Sequence, residues 1–404
     1  MPTLTQNTLD LLSDLEDVTN LLRGTFVAKD ELVELLATCA LAQEHLLIVG
    51  PPGTGKSELI KRFALLVSGE SRNKDHVSYF EYLLTRFTEP NEIFGPVDIH
   101  SFREGKGAHR NTTGMLPCAE IAFLDEVFKA NSAILNALLT ILNERVFYNG
   151  SQQETVPLIA AVGATNVVPD DPELAALYDR FLLRAWTDNV EETLFGDLFV
   201  RGWKLECDRI LKGYGMRQSN LLNTEALCAL YGTLAEVDLS PIRREYREIV
   251  RRIRSEGVQL SDRRVVKLLK LVAASALRHK RLEANPGDFW VLRHVWNDPE
   301  QIPNLQSIVD PYVEAHQGES WSPERRLSDI ADDLGRLEMQ RASLRNDTDY
   351  LDFLQQLENL RKELLRHSAG SEKAPEEARQ QQQALLQRIT TLVDGVMKIL
   401  EENL

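Results

Sequence analysis

The sequence predicts an α/β fold: a parallel five-stranded sheet covered by helices and followed by an all-helical region. Three observations predict it. Short apolar runs alternate with helical patterns from about residue 20 to 188, the mark of a parallel sheet with crossover helices. The run Leu46-Leu47-Ile48-Val49 leads into Gly50-Pro51-Pro52-Gly53-Thr54-Gly55-Lys56-Ser57 and then into the helix-like Glu58-Leu59-Ile60-Lys61. Beyond residue 190 no convincing strand pattern remains.

The expected strands are Leu46–Val49, Val77–Leu83, Ile121–Leu124, Leu158–Ala164 and Leu182–Trp186. Ile121-Ala122-Phe123-Leu124 is apolar throughout, as a strand buried on both faces requires. Leu4 to Leu22 reads as an N-terminal helix. Residues 191–213, 223–235, 241–256 and 262–284 read as helices of a smaller α-helical lid. The expected division is a nucleotide-binding core over 1–190, a lid over 191–316 and a C-terminal helical bundle over 321–404. In the last part Leu327, Ile330, Leu334, Leu337 and Leu344 fall at a/d-like spacing, interrupted by Arg341, and Tyr350, Leu354 and Leu357 continue in a second segment. After the breakers of 367–375, Leu385, Ile389, Leu392, Val396 and Ile399 repeat at 4-3-4-3 intervals, a heptad seam. The seam must be covered, either by segments 323–345 and 350–366 closing a three-helix bundle or by a partner. Gln380–Gln383 reads as a solvated face.

A chain of 404 residues allows two or three domains. Its formal net charge of -15 argues against a protein whose main task is to neutralise phosphate backbones, so nucleic acid is not an expected partner. No Lys or Arg precedes Arg23, while Asp10, Asp14, Glu16 and Asp17 do, which is unlike a signal peptide. No apolar run approaches a membrane span. Cys39, Cys118, Cys207 and Cys228 are scattered and read as buried free thiols in a reducing compartment. A cytoplasmic protein is expected.

The glycine-rich stretch carries the chemistry. Gly50, Gly53 and Gly55 let backbone N–H groups curl around phosphate oxygens, and the following helix N-terminus favours negative charge. Lys56 would reach the β- and γ-phosphates, with Ser57 on Mg²⁺. Ile121–Leu124 ends in Asp125-Glu126, suited to hold the ion through its water shell and to polarise an attacking water. The next apolar strand ends in Thr165-Asn166. Asn166 could reach that water or simply form a turn before Pro169.

In order, Lys56, Asp125-Glu126 and Asn166 resemble Walker A, Walker B and sensor 1 of the AAA+ ATPases. Such proteins add two arginines, one acting across a subunit interface and one in the lid. Tyr178-Asp179-Arg180-Phe181 offers Arg180 as the trans-acting finger, with Arg145 and Arg184 as rivals. Ser261-Asp262-Arg263 reads as a helix cap with a first-turn arginine, making Arg263 the sensor 2 candidate.

Residues 20 to about 315 resemble the MoxR group, most closely its regulatory ATPase variant branch. The resemblance rests on Gly50–Ser57, Phe94-Gly95-Pro96, Gly114-Met115-Leu116-Pro117, Ala119–Ala130, Ile134–Asn149 and Ala175–Arg184. It implies an AAA+ core with two inserted β-hairpins, one within 92–117 and one over Val146–Pro157 with its turn near Asn149-Gly150-Ser151-Gln152. It further implies ATP/ADP and Mg²⁺ as ligands and a hexameric ring. That ring would remodel or mature protein clients beside a von Willebrand A-domain partner. The sequence departs from the best-known variant in having no β pattern after 320, so that protein's decarboxylase client is not carried over. A nucleic-acid motor, a metal-chelatase motor subunit and a non-hydrolysing scaffold are the alternatives. The second hairpin has no basic residue at its tip, whereas the first insert has Arg103, Lys106, His109 and Arg110.

Overall fold

The computed structural model describes residues 3–67, 77–98, 109–169, 171, 174–212, 221–316, 321, 327–341, 350, 353–354, 356–357, 360–361, 364–365 and 376–402. The chain divides into two compact units, Met1–Tyr312 and Val313–Leu404.

In the first unit, α1 (Gln6–Thr25) and α2 (Asp30–Leu41) precede β1 (His45–Val49) and α3 (Lys56–Val67). Then come β2 (Val77–Leu83), α4 (Pro90–Phe94), β3 (Ala119–Asp125) and α5 (Ser132–Glu144). The hairpin strands β4 (Val146–Asn149) and β5 (Gln152–Thr155) lead to β6 (Ala160–Thr165), the short α6 (Ala175–Tyr178) and β7 (Phe181–Trp186). All five expected core strands form. They make one parallel sheet in the order β2-β3-β6-β1-β7. Every residue of β1 and β6 is buried, which is why these runs lack a polar face.

The second hairpin is present. Its turn is Gly150-Ser151, with Gly150 at φ 62°, a conformation that costs glycine little. Asn149 belongs to β4 and is buried. Its side-chain oxygen accepts from the Arg110 N–H at 2.6 Å, and its amide donates to the Arg110 carbonyl at 3.0 Å. Of the first insert the described residues form its base, an antiparallel bridge between Val97 and Arg110. Residues 99–108, with Arg103 and Lys106, lie outside the described residues. Asn149 therefore joins the two inserts, and Phe94 stacks on Phe147 beneath them with ring centroids 5.3 Å apart.

The helical region contains α7 (Phe195–Lys212), α8 (Thr224–Thr233), α9 (Arg243–Ser255), α10 (Asp262–Arg278), a 3-10 helix over Pro286–His294 and α11 (Ile302–Glu314). The helix expected over 262–284 stops at Arg278. Lys280 takes φ 58°, and the chain turns back so that Asp238 donates to Leu282 and accepts from Ala284. α10 lies along α2 through buried charges. Glu34 meets Arg23 at 2.6 Å and Arg278 at 2.7 Å, and Glu44 meets Lys267 at 3.1 Å and also Lys270. Burial works against the Glu34 carboxylate, but the two guanidiniums outweigh it and hold its pKa below the usual range.

All four cysteines are free, but only Cys39 is buried. Cys118 and Cys207 are half-buried and Cys228 is exposed. No helix among the described residues is long and apolar enough to cross a membrane.

In the second unit, α12 (Leu327–Gln340), helical residues between 350 and 365, and α13 (Glu376–Glu402) surround one core. Ile330, Leu334, Phe353, Leu357, Leu385, Ile389 and Val396 meet there, so the seam is closed within the bundle. Leu344 and the side chain of Ile399 lie outside the described residues. Arg341, which interrupts the apolar repeat, lays its guanidinium beside Gly395, where an added Cβ would lie 2.9 Å from its Nη2. The glutamine run is not wholly solvated. Gln382 is buried and donates to the Leu364 carbonyl, satisfying its amide inside the core.

Gly163 in β6 tests the sheet packing. A Cβ there would lie 2.7 Å from Phe181 Cζ and 3.2 Å from Leu47 Cδ1, and both side chains are fully buried. Gly163→Ala should destabilise the protein by about 1–3 kcal/mol through overpacking. Most of that loss should be recovered in a Phe181→Leu background, as thermal unfolding of the single and double variants would show.

Candidate phosphate-binding site

Strand register brings the site together. Val49 pairs with Thr165 and Leu124 with Gly163, so Gly50, Glu126 and Asn166 emerge nearly level at the C-terminal edge of β1, β3 and β6. Gly50 donates to the Thr165 carbonyl at 3.1 Å. A Cβ on Gly50 would sit 1.9 Å from the Thr187 carbonyl oxygen, so only glycine fits this bend. Gly53 and Gly55 have φ of +81° and +79°, with open space beside Gly53. The loop is thus bare backbone leading into the α3 N-terminus, the arrangement an anion requires.

Lys56 is buried in the first turn of α3 and donates to the Gly50 carbonyl at 2.6 Å and the Pro51 carbonyl at 2.9 Å. Burial lowers its pKa, while the Asp125 and Glu126 carboxylates push it back up, so the three charges share one environment. Ser57 follows, half-buried. Glu126 takes left-handed backbone angles, φ 53° and ψ 44°, uncommon for a side-chain-bearing residue. Its Oε1 accepts from Asn166 Nδ2 at 2.7 Å and lies 3.0 Å from the Lys129 ammonium. Asp125 Oδ1 accepts from the Glu126 N–H at 3.0 Å. The Asn166 amide therefore reaches the acid pair, and the turn after β6 is secured by Thr165 Oγ1, which donates to the Val167 carbonyl at 2.9 Å.

These residues fit a magnesium triphosphate. The glycine cradle, the Lys56 ammonium and the α3 N-terminus supply positive potential, while Ser57 and Asp125 are hard oxygen donors of the kind magnesium takes. Lys29, absent from the sequence expectations, lies behind the loop. It is buried and donates to Thr187 Oγ1 at 2.6 Å and the Asp188 carbonyl at 2.9 Å. No spacing rule marks it, because its partners lie far along the chain.

The arginines lie at the other edge. Arg145 is tied to His45 Nε2 at 2.6 Å and to the carbonyls of Leu142, Gln43 and Ile159. Arg184 is buried, with its guanidinium 4.0 Å over the Tyr178 ring and bonded to the Val295 and Trp296 carbonyls. Arg180, half-buried, makes no side-chain hydrogen bond or ion pair among the described residues, and its Nε is buried without a partner. Arg263 projects from the first turn of α10 and donates to Asn143 at the end of α5. Residues 142–145, His45 and Leu182 mark the N-terminal edge of the sheet. Lys56, Asp125, Glu126 and Asn166 thus converge in one chain, whereas Arg180 and Arg263 stand at the opposite edge.

A phosphate loop on one strand, an Asp-Glu pair on a second and an amide on the strand between them define a P-loop ATPase of the AAA+ class. Residues 13–226 match the family described as the MoxR domain in the MoxR-vWA-beta-propeller ternary systems, and residues 236–309 match an AAA lid domain. The chain belongs to the MoxR family of AAA+ ATPases. An uncharacterized protein of Methanocaldococcus jannaschii is 37% identical over 289 residues, 71% of this chain and 73% of that protein. Chaperone MoxR1 of Mycobacterium tuberculosis is 27% identical over 162 residues, 39% of this chain and 40% of its own. A crystal structure from Cytophaga hutchinsonii, assigned as an ATPase, shares the fold with a TM-score of 0.56 at 16% identity. It spans 76% of this chain and 96% of that one.

If Glu126 is the base and Asn166 orients it, Glu126→Gln should bind ATP near normally and stop turning over. Asn166→Ala should lose about 10²-fold or more in turnover, the usual cost of one positioned donor, with affinity nearly unchanged. Equilibrium ATP binding and phosphate release on both variants check this. Turnover near the parental rate in Glu126→Gln would remove it as the base.

Proposed function

We propose that this protein is a ring-forming ATPase that hydrolyses ATP to remodel or mature client proteins, working with a von Willebrand A-domain partner. The observation that carries the reading is the split site. Lys56, Asp125, Glu126 and Asn166 lie at one sheet edge, while the arginine candidates Arg180 and Arg263 lie at the other. A complete site then needs the C-terminal edge of one copy to face the N-terminal edge of the next. Repeated head to tail, such a contact closes a ring if the rotation permits.

Bound ATP and Mg²⁺ supply the transferable phosphoryl group and the charge that neutralises it. Ser57 and Asp125 would hold the ion, and Lys56 would exchange its loop carbonyls for phosphate oxygens. Glu126, fixed by Asn166, would accept a hydrogen bond from the attacking water. Arg180 from the neighbour would stabilise charge developing on the transferred group, with Arg263 approaching from the same edge. The family description supports an A-domain partner, and the chaperone relative supports protein clients.

Arg180→Ala should bind nucleotide and lose about 10³–10⁵ in rate, the contribution of arginine fingers elsewhere. Mixing it with Lys56→Ala subunits should restore part of the activity, because one interface of a mixed assembly then has both halves intact. No recovery with mixed assembly confirmed would count against a shared site.

The second hairpin and Arg110 lend the nucleic-acid alternative no support, while Arg103 and Lys106 lie outside the described residues. The second hairpin presents Gly150, Ser151, Gln152 and Gln153 without a basic residue, and Arg110 is committed to Asn91 Oδ1 at 2.6 Å and the Gly95 carbonyl at 2.8 Å. DNA or RNA should therefore neither bind tightly at physiological salt nor raise the ATPase rate. A several-fold stimulation by single-stranded DNA would reverse this reading.

A further inference from the structure

Arg180 is the one arginine of its edge whose side chain makes no hydrogen bond or ion pair among the described residues, yet its neighbours are held by several. Two residues earlier, the Tyr178 hydroxyl donates to the Asn297 carbonyl at 2.7 Å, and the Tyr178 carbonyl accepts from Arg184 Nη2 at 3.2 Å. One residue earlier, Asp179 Oδ1 lies 3.8 Å from Arg264 Nη1. Two residues later, the Leu182 carbonyl accepts from Arg264 Nη2 at 3.2 Å. The two guanidiniums then converge on the turn after the 3-10 helix. Arg184 Nη1 and Arg264 Nη1 reach Asn297 Oδ1 at 3.1 and 3.2 Å, and both arginines donate to the Val295 carbonyl, at 3.2 and 2.9 Å. Asn297 is itself fixed by its N–H donating to Gln301 Oε1 at 2.8 Å.

We propose that Tyr178, Arg184, Arg264 and Asn297 are positioning residues that hold Arg180 in register for the phosphate site of a neighbouring copy. The inference rests on the reading of Arg180 as the trans-acting finger. Burying two guanidiniums together is costly. Burial and their mutual repulsion pull Arg184 down to about 9, and burial pulls Arg264 down to about 10. Hydrophobic side chains could fill that volume but could not fix carbonyls on both sides of Arg180 at once. Arg264 also neighbours Arg263, so one buried anchor sets the place of both edge arginines. It ties them to residues 295–297 of the helical region. A movement of that region therefore moves the arginines of this copy relative to the next copy's loop.

The mildest test is Tyr178→Phe, which removes one hydroxyl and keeps the ring beneath Arg184; Asn297→Ala is the second variant. Each should lower kcat by about 10-fold or more, since misplacements near 1 Å can cost 10²-fold, with KM for ATP within twofold of the parent. Mixing either variant with Lys56→Ala subunits should restore activity, because the intact finger then comes from the Lys56→Ala copy. Unchanged kcat in both variants would overturn the proposal. A fall in kcat that mixing does not repair, or one accompanied by a matching rise in KM, would place the defect in the variant's own site and overturn it too. Arg180→Ala at the parental rate would instead sink the finger reading itself, whatever Tyr178→Phe does.

Discussion

The parallel register of β3, β6 and β1 determines where each charged group of the site falls. In a parallel sheet all strands run the same way, so their C-terminal ends share one edge, and residues following them are gathered without further design. Here that edge receives a bare glycine loop, two carboxylates and an amide. The same rule sends whatever precedes a strand to the other edge. Arg180 precedes β7 and Arg145 precedes the hairpin into β6, so both lie across the sheet from Lys56. The separation is a consequence of topology, and the proposed head-to-tail assembly would close it.

The helical region reinforces that polarity. It is joined to the sheet through Arg264 at the start of β7, through Lys267 and Lys270 at Glu44 just before β1, and through Arg278 at Glu34 in α2. These are contacts on α2 and at the N-terminal edge. At the loop edge the link is of another kind. Lys29 grips Thr187 and Asp188 as the chain leaves β7, and the Thr187 carbonyl packs against Gly50. The chain leaving toward α7 is therefore pinned against the phosphate loop, α7 itself meets the first turn of α3 through Arg209 and Glu58 at 2.8 Å, and α10 is anchored at the far edge.

How much of this was legible in the sequence depends on the range of the interaction concerned. The core strands showed as apolar runs because strands buried on both faces tolerate little else, and the glycine loop showed because phosphate geometry demands that spacing. The Asp125-Glu126 pair was legible only in combination with that loop. Gln382, by contrast, reads as surface, because nothing local reveals that Leu364 offers it a carbonyl. Asn149 reads as a turn residue, because Asn favours turns and its partner Arg110 is far away in the chain. Arg264 is silent for the same reason: its bonds go to carbonyls of residues 182, 259 and 295, and carbonyls leave no trace in a sequence. Arg263 shows how a correct local reading can still leave position open. Ser261 does cap the helix, accepting from the Arg264 N–H at 3.2 Å, yet the edge that this first turn faces is set by α2 and β7.

The cost of the buried arginines is the clearest sign of what the fold protects. Stability alone would favour apolar side chains in such a place, and the surrounding residues show that the chain packs them readily: Trp290 and Trp296 are essentially fully buried close by. What guanidiniums add is direction. Each carries several donors in one rigid plane, so Arg264 can hold the Leu182 and Val295 carbonyls together while meeting Asn297, and Arg184 can hold Tyr178 against the same turn. Rotating residues 295–297 would break several of these bonds together. The turn and the Arg180 segment are therefore expected to shift as one body or not at all. In a site shared between copies that rigidity has a use. In the arrangement proposed above, the catalytic edge of one copy would be only as well placed as the arginine edge of the next, and a hydrogen-bonded anchor would hold that edge where a fluid apolar contact would yield.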